Sequence, residues 1–390
     1  MDETRLAWIR LAAVASDRTA MWMRAAQAAG GPACLLEASR EELAALGVAG
    51  RAERRLRTAP SVLEAKAVLG RCRSLGLELA VPGQATFPDR LLSIPDPPVC
   101  LYWFGRPPSE CHPAVAIVGT REPSPYGKRV TRELARHLAA AGVVVTSGLA
   151  RGIDQTAHEG ALETGLTAAV LPGGLDAVYP ARNSGLCRRI AREGWVLGEH
   201  PPGVRPRRQD FPRRNRVVTG LAEVVVVVEA THASGTWTSA MHALAQGTAV
   251  FAVPGDIDRP QAALPNQLLH DGCPPLLKPD DVLELLSKVP NAETRALGHV
   301  ANDISTSKSI EKMDADQAAL LACLGPDPRT VDQLSLLCSL DGAKVMTLLT
   351  SLELAGLVSA SHTGGYVTSG AAAKVFIAAT TDPSSRITNG

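Results

Sequence analysis

Six arginines crowd into one short stretch, RPRRQDFPRRNR: Arg205, Arg207, Arg208, Arg213, Arg214 and Arg216, opposed only by Asp210. Phe211 lies among them. Guanidinium groups suit phosphate oxygens and an aromatic ring offers a base a stacking face, the pairing that single-strand nucleic-acid binders use. In isolation such a charge run reads as a solvated surface. Two loops upstream shift the balance. Val118-Gly119-Thr120-Arg121 and Ser147-Gly148-Leu149-Ala150-Arg151-Gly152 each end an apolar run and lead into a helical pattern. Backbone N–H groups at such strand-to-helix turns bind anionic oxygens. Arg121 and Arg151 stand beside them, so phosphate is the expected ligand.

Other chemistries fit less well. A dinucleotide site requires G-x-G-x-x-G after its first strand and an acidic residue after its second. Here the strands are followed by GTREPSP and SGLARG. The GxxxxGK[ST] phosphate loop of ATP-driven motors is absent from the sequence. Pro172-Gly173-Gly174 begins like the PGGxGTxxE loop of nucleotide phosphoribohydrolases, but Leu175-Asp176 follows and no matching glutamate does. That enzyme class stays open as the alternative. Asp154 and His158 stand four apart, as an acid–base pair on a helix would, although an aspartate at a helix start more often caps or braces a loop.

The elements that must position these residues form a repeating series. Ala114-Val118, Val143-Thr146, Thr167-Leu171, Trp195-Gly198, Val224-Val228 and Ala249-Val253 read as strands, several of them apolar throughout and therefore covered on both faces. Val130, Leu134 and Leu138 give the first intervening helix an apolar stripe. Strand, loop and helix in alternation predict a doubly wound parallel sheet. Before it, residues 1–60 are alanine-rich and helical. Their Leu43–Arg51 stretch, followed by Arg54 and Arg55, resembles a helix-hairpin-helix or sterile-alpha-motif module, read here as a packing unit. Residues 61–288 are assigned to the core, with 58–113 an extension leading into its first strand. Residues 289–312 are a polar linker. Residues 313–372 suggest three helices and a hairpin, a winged helix whose third helix carries too little positive charge to favour groove reading. Residues 373–390 form a flexible tail.

Net charge is +1 over 390 residues, so any polyanion site is a local patch. Eight cysteines show no CxxC pairing, which argues against a disulfide framework or structural zinc and fits a reducing compartment. The charged MDETRLAWIR start is no secretory signal. No apolar run nears the ~20 residues of a membrane helix. A cytoplasmic protein away from the membrane is expected.

The ordered set VGTR, SGLARGID, GLDAVYP, FPRRNR, EA with SG, and VFAVPG, running through residues 114–280, resembles the DNA-processing protein A (DprA/Smf) family. The resemblance implies an extended Rossmann-like core between a helical module and a winged helix. It further implies a binder of incoming single-stranded DNA in natural transformation, one that self-associates as a homodimer, loads RecA and displaces single-strand-binding protein. No catalytic residue, metal or cofactor is implied. The binding residues it places here are Arg121, Arg151, Arg208 and Phe211 with Arg214 and Arg216. The surrounding Gly119, Thr120, Ser147, Gly148, Gly152, Arg213, Asn215, Ser234 and Gly235 complete the candidate set.

Overall fold

The computed structural model describes residues 2–15, 18–106, 112–232, 234–288, 315–324, 329–338, 340–354, 358–360 and 365–368. They fall into two compact units, residues 1–289 and 290–390. The linker and tail assignments at 289–312 and 373–390 lie outside the described residues.

The first unit opens with six helices: α1 (Asp2–Val14), α2 (Thr19–Ala28), α3 (Pro32–Glu37), α4 (Arg40–Ala45), α5 (Arg51–Leu56) and α6 (Val62–Ser74). Ser39 and Ser61 start α4 and α6 with reciprocal capping boxes to Glu42 and Glu64. An eight-stranded sheet follows, in the order β1-β2-β6-β5-β4-β3-β7-β8. Its strands are β1 (Glu78–Ala80), β2 (Leu101–Gly105), β3 (Ala114–Val118), β4 (Val144–Ser147), β5 (Thr167–Leu171), β6 (Trp195–Gly198), β7 (Val224–Val227) and β8 (Ala249–Ala252). β3 to β8 pair in parallel, as the alternating pattern predicts. β1 and β2 extend the sheet antiparallel from β6. The segment read as an extension thus supplies two strands.

Helices α7 (Pro125–Ala140), α8 (Ile153–Ala161), α9 (Ser184–Glu193), α10 (Asp210–Gly220), α11 (Gly235–Ala245), α12 (Ala263–His270) and α13 (Asp280–Lys288) complete the unit. Alternation along each strand divides their packing. Ala116, Val118, Ala168 and Val170 face α10, α11 and α12. Val115, Ile117 and Val145 face α7, α8 and α13. At the β1 end, Leu79, Tyr102, Leu171 and Val196 share one core with α9 and the N-terminal helices, including Leu11, Trp22, Leu35 and Leu43. The helical module is therefore joined to the sheet through buried apolar surface. The chain runs outward from β3 to β6, then returns to β7 on the other side of β3. Loops leaving β3 and β7 diverge at that reversal, where open α/β sheets bind ligands.

The second unit has α14 (Ala315–Ala322), α15 (Val331–Cys338), α16 (Gly342–Leu354) and the antiparallel pair β9 (Val358–Ala360) and β10 (Tyr366–Thr368). Leu320, Leu334, Val345, Leu349, Leu352 and Val358 form its core. Three helices and a hairpin match the winged-helix expectation. Among the described residues no single helix is long and apolar enough to cross a membrane.

Candidate nucleic-acid interface

The loops after β3 and β4 are laid one upon the other. Ile153 N donates to Thr120 O at 3.1 Å, and Thr120 N donates to Glu229 O at 2.6 Å. Gly152 sits at φ +91°, and a Cβ there would lie 2.4 Å from Thr120 O. Gly119 likewise lies against the Ile153 side chain. These glycines serve close packing of loop on loop. Leu149 is held in the left-handed region at φ +55° with its side chain fully buried. Asn183 Nδ2 donates to its carbonyl at 2.8 Å. Such a conformation in a branched residue is strained and persists only where the surroundings fix it.

Glu229, buried at the end of β7, holds the β3 loop from below. It accepts hydrogen bonds from Ser124 N at 2.8 Å and from Ser124 Oγ at 2.5 Å. Ser124 in turn caps α7, accepting from Gly127 N at 3.1 Å. Ser147, on β4, spends its hydroxyl within the sheet, donating to Ile117 O at 2.7 Å.

On this scaffold Arg121 is exposed, its guanidinium carbon 5.6 Å from the centroid of the Phe211 ring. Tyr179 packs edge-on against the same ring, with centroids 5.7 Å apart and planes at 76°. Cation, aromatic face and aromatic edge thus meet at one point. Arg208, three residues before Phe211 in the chain, is exposed. Arg151, also exposed, donates through Nε to Arg121 O at 3.0 Å and pairs with Glu122. Arg121 and Arg151 further line a cavity of about 660 Å³ with Lys128, Arg129, Arg132, Gln155 and Thr156. The lysine and arginines of α7 did not stand out in the sequence, where they read as the polar face of an amphipathic helix. Tyr179 sat unmarked within GLDAVYP.

Two members of the arginine cluster require correction. Arg214 and Arg216 do not project to solvent: they are 6% and 2% exposed. Arg214 runs beneath the β4 loop, donating from Nη1 to Val170 O at 2.7 Å. Burial lowers its pKa to about 10, with Asp154 opposing that shift, so it keeps its charge at neutral pH. Arg216 donates to Glu199 at 2.7 Å and to Asp96 at 2.9 Å. Burial would raise the Asp96 carboxyl, but the Thr19 hydroxyl and the Arg216 guanidinium hold it below the usual carboxylate range. In these positions both guanidinium groups are spent on partners inside the fold. Both brace the helix that presents Phe211. Arg213 is half-buried and donates to Ala15 O at 3.1 Å, tying α10 to the N-terminal helices. Asn215 Nδ2 donates to Gly235 O at 3.2 Å, and Ser234 precedes α11. Arg213 and Asn215 thus tie α10 to the N-terminal helices and to α11.

Asp154 and His158 are both buried. The Asp154 carboxylate accepts from Ala150 N at 3.4 Å, a brace across its own loop. Burial raises its pKa, and Arg214 pulls the other way. His158 Nδ1 lies 2.7 Å from Thr167 Oγ1, whose own proton goes to Val145 O. Nδ1 must therefore carry the hydrogen. The pair is thus structural. The Pro172-Gly173-Gly174 loop is also occupied: a Cβ on Gly173 would lie 2.8 Å from Pro206 Cδ, and Gly174 N donates to Val204 O at 2.8 Å. Asp176 accepts from Gly203 N at 2.7 Å and pairs with Arg71 at 3.0 Å. Residues 203–206 pack directly on this loop.

The chain is similar to known DNA-processing proteins. The family model for DNA recombination-mediator protein A matches residues 78–287, and that for the DprA winged helix domain matches residues 305–365. Protein Smf of Synechocystis sp. is 33% identical over 309 residues, covering 72% of this chain and 78% of its own. The X-ray structure of DNA processing protein A from Streptococcus pneumoniae aligns with a TM-score of 0.62 at 28% identity, over 70% of this chain and 95% of that one. DNA processing protein A from Helicobacter pylori, described for its single-stranded DNA binding mode, aligns with a TM-score of 0.50 at 33% identity, over 54% of this chain and 96% of that one. A family model spanning more than half of the chain, and a relative matched over most of its length, show that the chain belongs to the DNA recombination-mediator protein A (DprA/Smf) family, a DNA-processing recombination mediator by membership.

Proposed function

We propose that the protein binds single-stranded DNA at the loop cluster above β3 and β4, and that it acts in the cytoplasm on incoming strands during natural transformation. The observation that carries this reading is the seating of Arg121 against Phe211, with exposed Arg151 bonded to the Arg121 carbonyl and Arg208 exposed three residues before the ring. A base stacks on an aromatic side chain whatever its identity, while guanidinium groups meet the phosphates on either side. A local cation cluster on a chain of net charge +1 gives affinity without a global field. Family membership and the Helicobacter pylori relative's binding of single-stranded DNA support the same reading. As a homodimer, the protein would present two such clusters to one strand, displace single-strand-binding protein and leave cleared DNA on which RecA nucleates.

The test is fluorescence anisotropy of a labelled oligo-dT against duplex of equal length across a salt series. Tight, salt-steep binding with preference for the single strand is expected. No binding at low salt overturns the proposal. Adding RecA to strands coated with single-strand-binding protein then tests the loading step: the protein should shorten the lag before RecA filaments form.

A further inference from the structure

We propose that the DNA strand continues from the Arg121–Phe211 cluster into the cleft between the N-terminal helices and the sheet, where Arg51 and Arg54 of α5 contact its phosphates. This extension rests on the single-strand reading above. The cleft has a volume of about 1310 Å³ and receives arginines from two distant parts of the chain: Arg51, Arg54 and Arg55 from α5, and Arg207 and Arg213 from the segment entering α10. Apolar side chains share its lining with these polar ones, among them Ile9, Val68, Val99 and Tyr102.

The charge balance of the cleft favours a polyanion. Three carboxylates line it, and each is engaged. Glu64 accepts from Ser61 N at 2.7 Å, Glu199 from Arg216 at 2.7 Å, and Asp210 from Arg207 N at 2.7 Å. By contrast, the exposed guanidinium groups of Arg51, Arg54 and Arg207 have no carboxylate partner among the described residues. Long, hydrated cations gathered along one cleft repel one another unless an anion lies between them. A strand of alternating phosphates and bases supplies both an anion for the arginines and a flat face for the apolar part of the lining.

Continuity with the first site selects the same strand over a separate ligand. Arg207 lines the cleft at the entry to α10, four residues before Phe211. Phe211 and Arg213 likewise stand on one turn of α10, the first in the aromatic cluster and the second in the cleft. The α10 entry is therefore a ridge with a binding surface on each side. The Leu43–Arg51 module with Arg54 and Arg55, read from sequence as a packing unit, acquires a second task.

The experiment compares oligo-dT of about 6 and about 20 nucleotides, lengths within and above the roughly 4–16 nucleotides that a single site covers. The wild-type protein is set against an R51A/R54A variant, with thermal unfolding as the check on folding. The variant should bind the short oligonucleotide as the wild type does. It should bind the long one about tenfold more weakly, with a salt slope lower by about 1.4, or 0.7 for each lost phosphate contact. R51K/R54K, which keeps the charges, should restore most of the loss. Equal affinities for the long oligonucleotide, or equal losses at both lengths, overturn the second surface while leaving the first in place. If the wild type binds neither length, the single-strand reading falls and this extension with it.

Discussion

Gly148 and Arg214 are fitted to one another: a Cβ on Gly148 would stand 1.8 Å from Arg214 Nη1 and 2.3 Å from Cζ. Because that guanidinium is buried and bonded to Val170 O, it cannot swing aside freely. Gly148→Ala should destabilise the protein by about 1–3 kcal/mol, as overpacking does. It should also weaken oligo-dT binding, since the Arg121 loop rests on the same support. Denaturant melts and anisotropy measure both. In the double variant with Arg214→Ala, the two losses should be smaller than their sum, the mark of a shared contact. Strict additivity would refute the fit.

Arg121 and Phe211 should separate in a salt series. Arg121→Ala should lower the slope by about 0.7, the signature of one phosphate contact on a single strand. Phe211→Ala should leave the slope unchanged and cost about 1–3 kcal/mol of affinity through lost stacking. Neither change should move the unfolding midpoint much. A slope change on removing Phe211 would contradict the assignment.

Arg216 should behave as a structural residue despite its place in a basic cluster. Arg216→Met removes the cation between Asp96 and Glu199, leaving two carboxylates without their partner. A loss of about 3–5 kcal/mol in stability is expected, as for other broken buried pairs. The fraction that remains folded should bind oligo-dT with the wild-type salt slope. An intact melting temperature with a flattened slope would restore the surface reading.

His158 predicts an acid limb in stability. Burial, with Arg214 adding to it, lowers its pKa from 6.5 to about 3. Its Nε2 is buried without a hydrogen-bond partner, so the added proton would find no acceptor. The unfolded chain therefore binds a proton that the folded one refuses. This contribution is fully present above pH 6.5 and is lost as pH falls toward 3, by about 1.4 kcal/mol per pH unit. Asp154 acts in the opposite sense: its raised pKa makes the fold lose stability as pH climbs through the carboxylate range. Urea melts from pH 7 to 4 on the wild type and His158→Gln should show a shallower acid limb in the variant. Equal limbs would assign the dependence to other groups.

Sequence made the sheet readable because its central strands are apolar throughout: AVAIV at β3 and VVVV at β7 admit few alternatives. β1 is only Glu78-Leu79-Ala80, too short for a period to show, and its place emerges only from pairing with β2. At the site, residue type was legible and direction was not. Successive side chains on α10 point about 100° apart, so adjacent arginines at 213 and 214 cannot share an environment. What turns Arg216 inward is Asp96, 120 residues earlier, a partner no local pattern reveals. Glu229 was visible in the motif that the family carries. Its hold on Ser124, across 105 residues, was not.

The core shared by the N-terminal helices and the β1 end of the sheet bears on how the chain is made. Leu11, Trp22, Leu35 and Leu43 leave the ribosome first, yet the sheet residues in the same cluster extend as far as Val196. Until β5 and β6 have been synthesised, that apolar face lacks the members from Ala169 to Val196. The nascent chain passes through a long interval with a sticky, half-finished helical layer, the kind of species that draws chaperones. Ribosome pausing before β6 would lengthen that interval, and pausing after it would not.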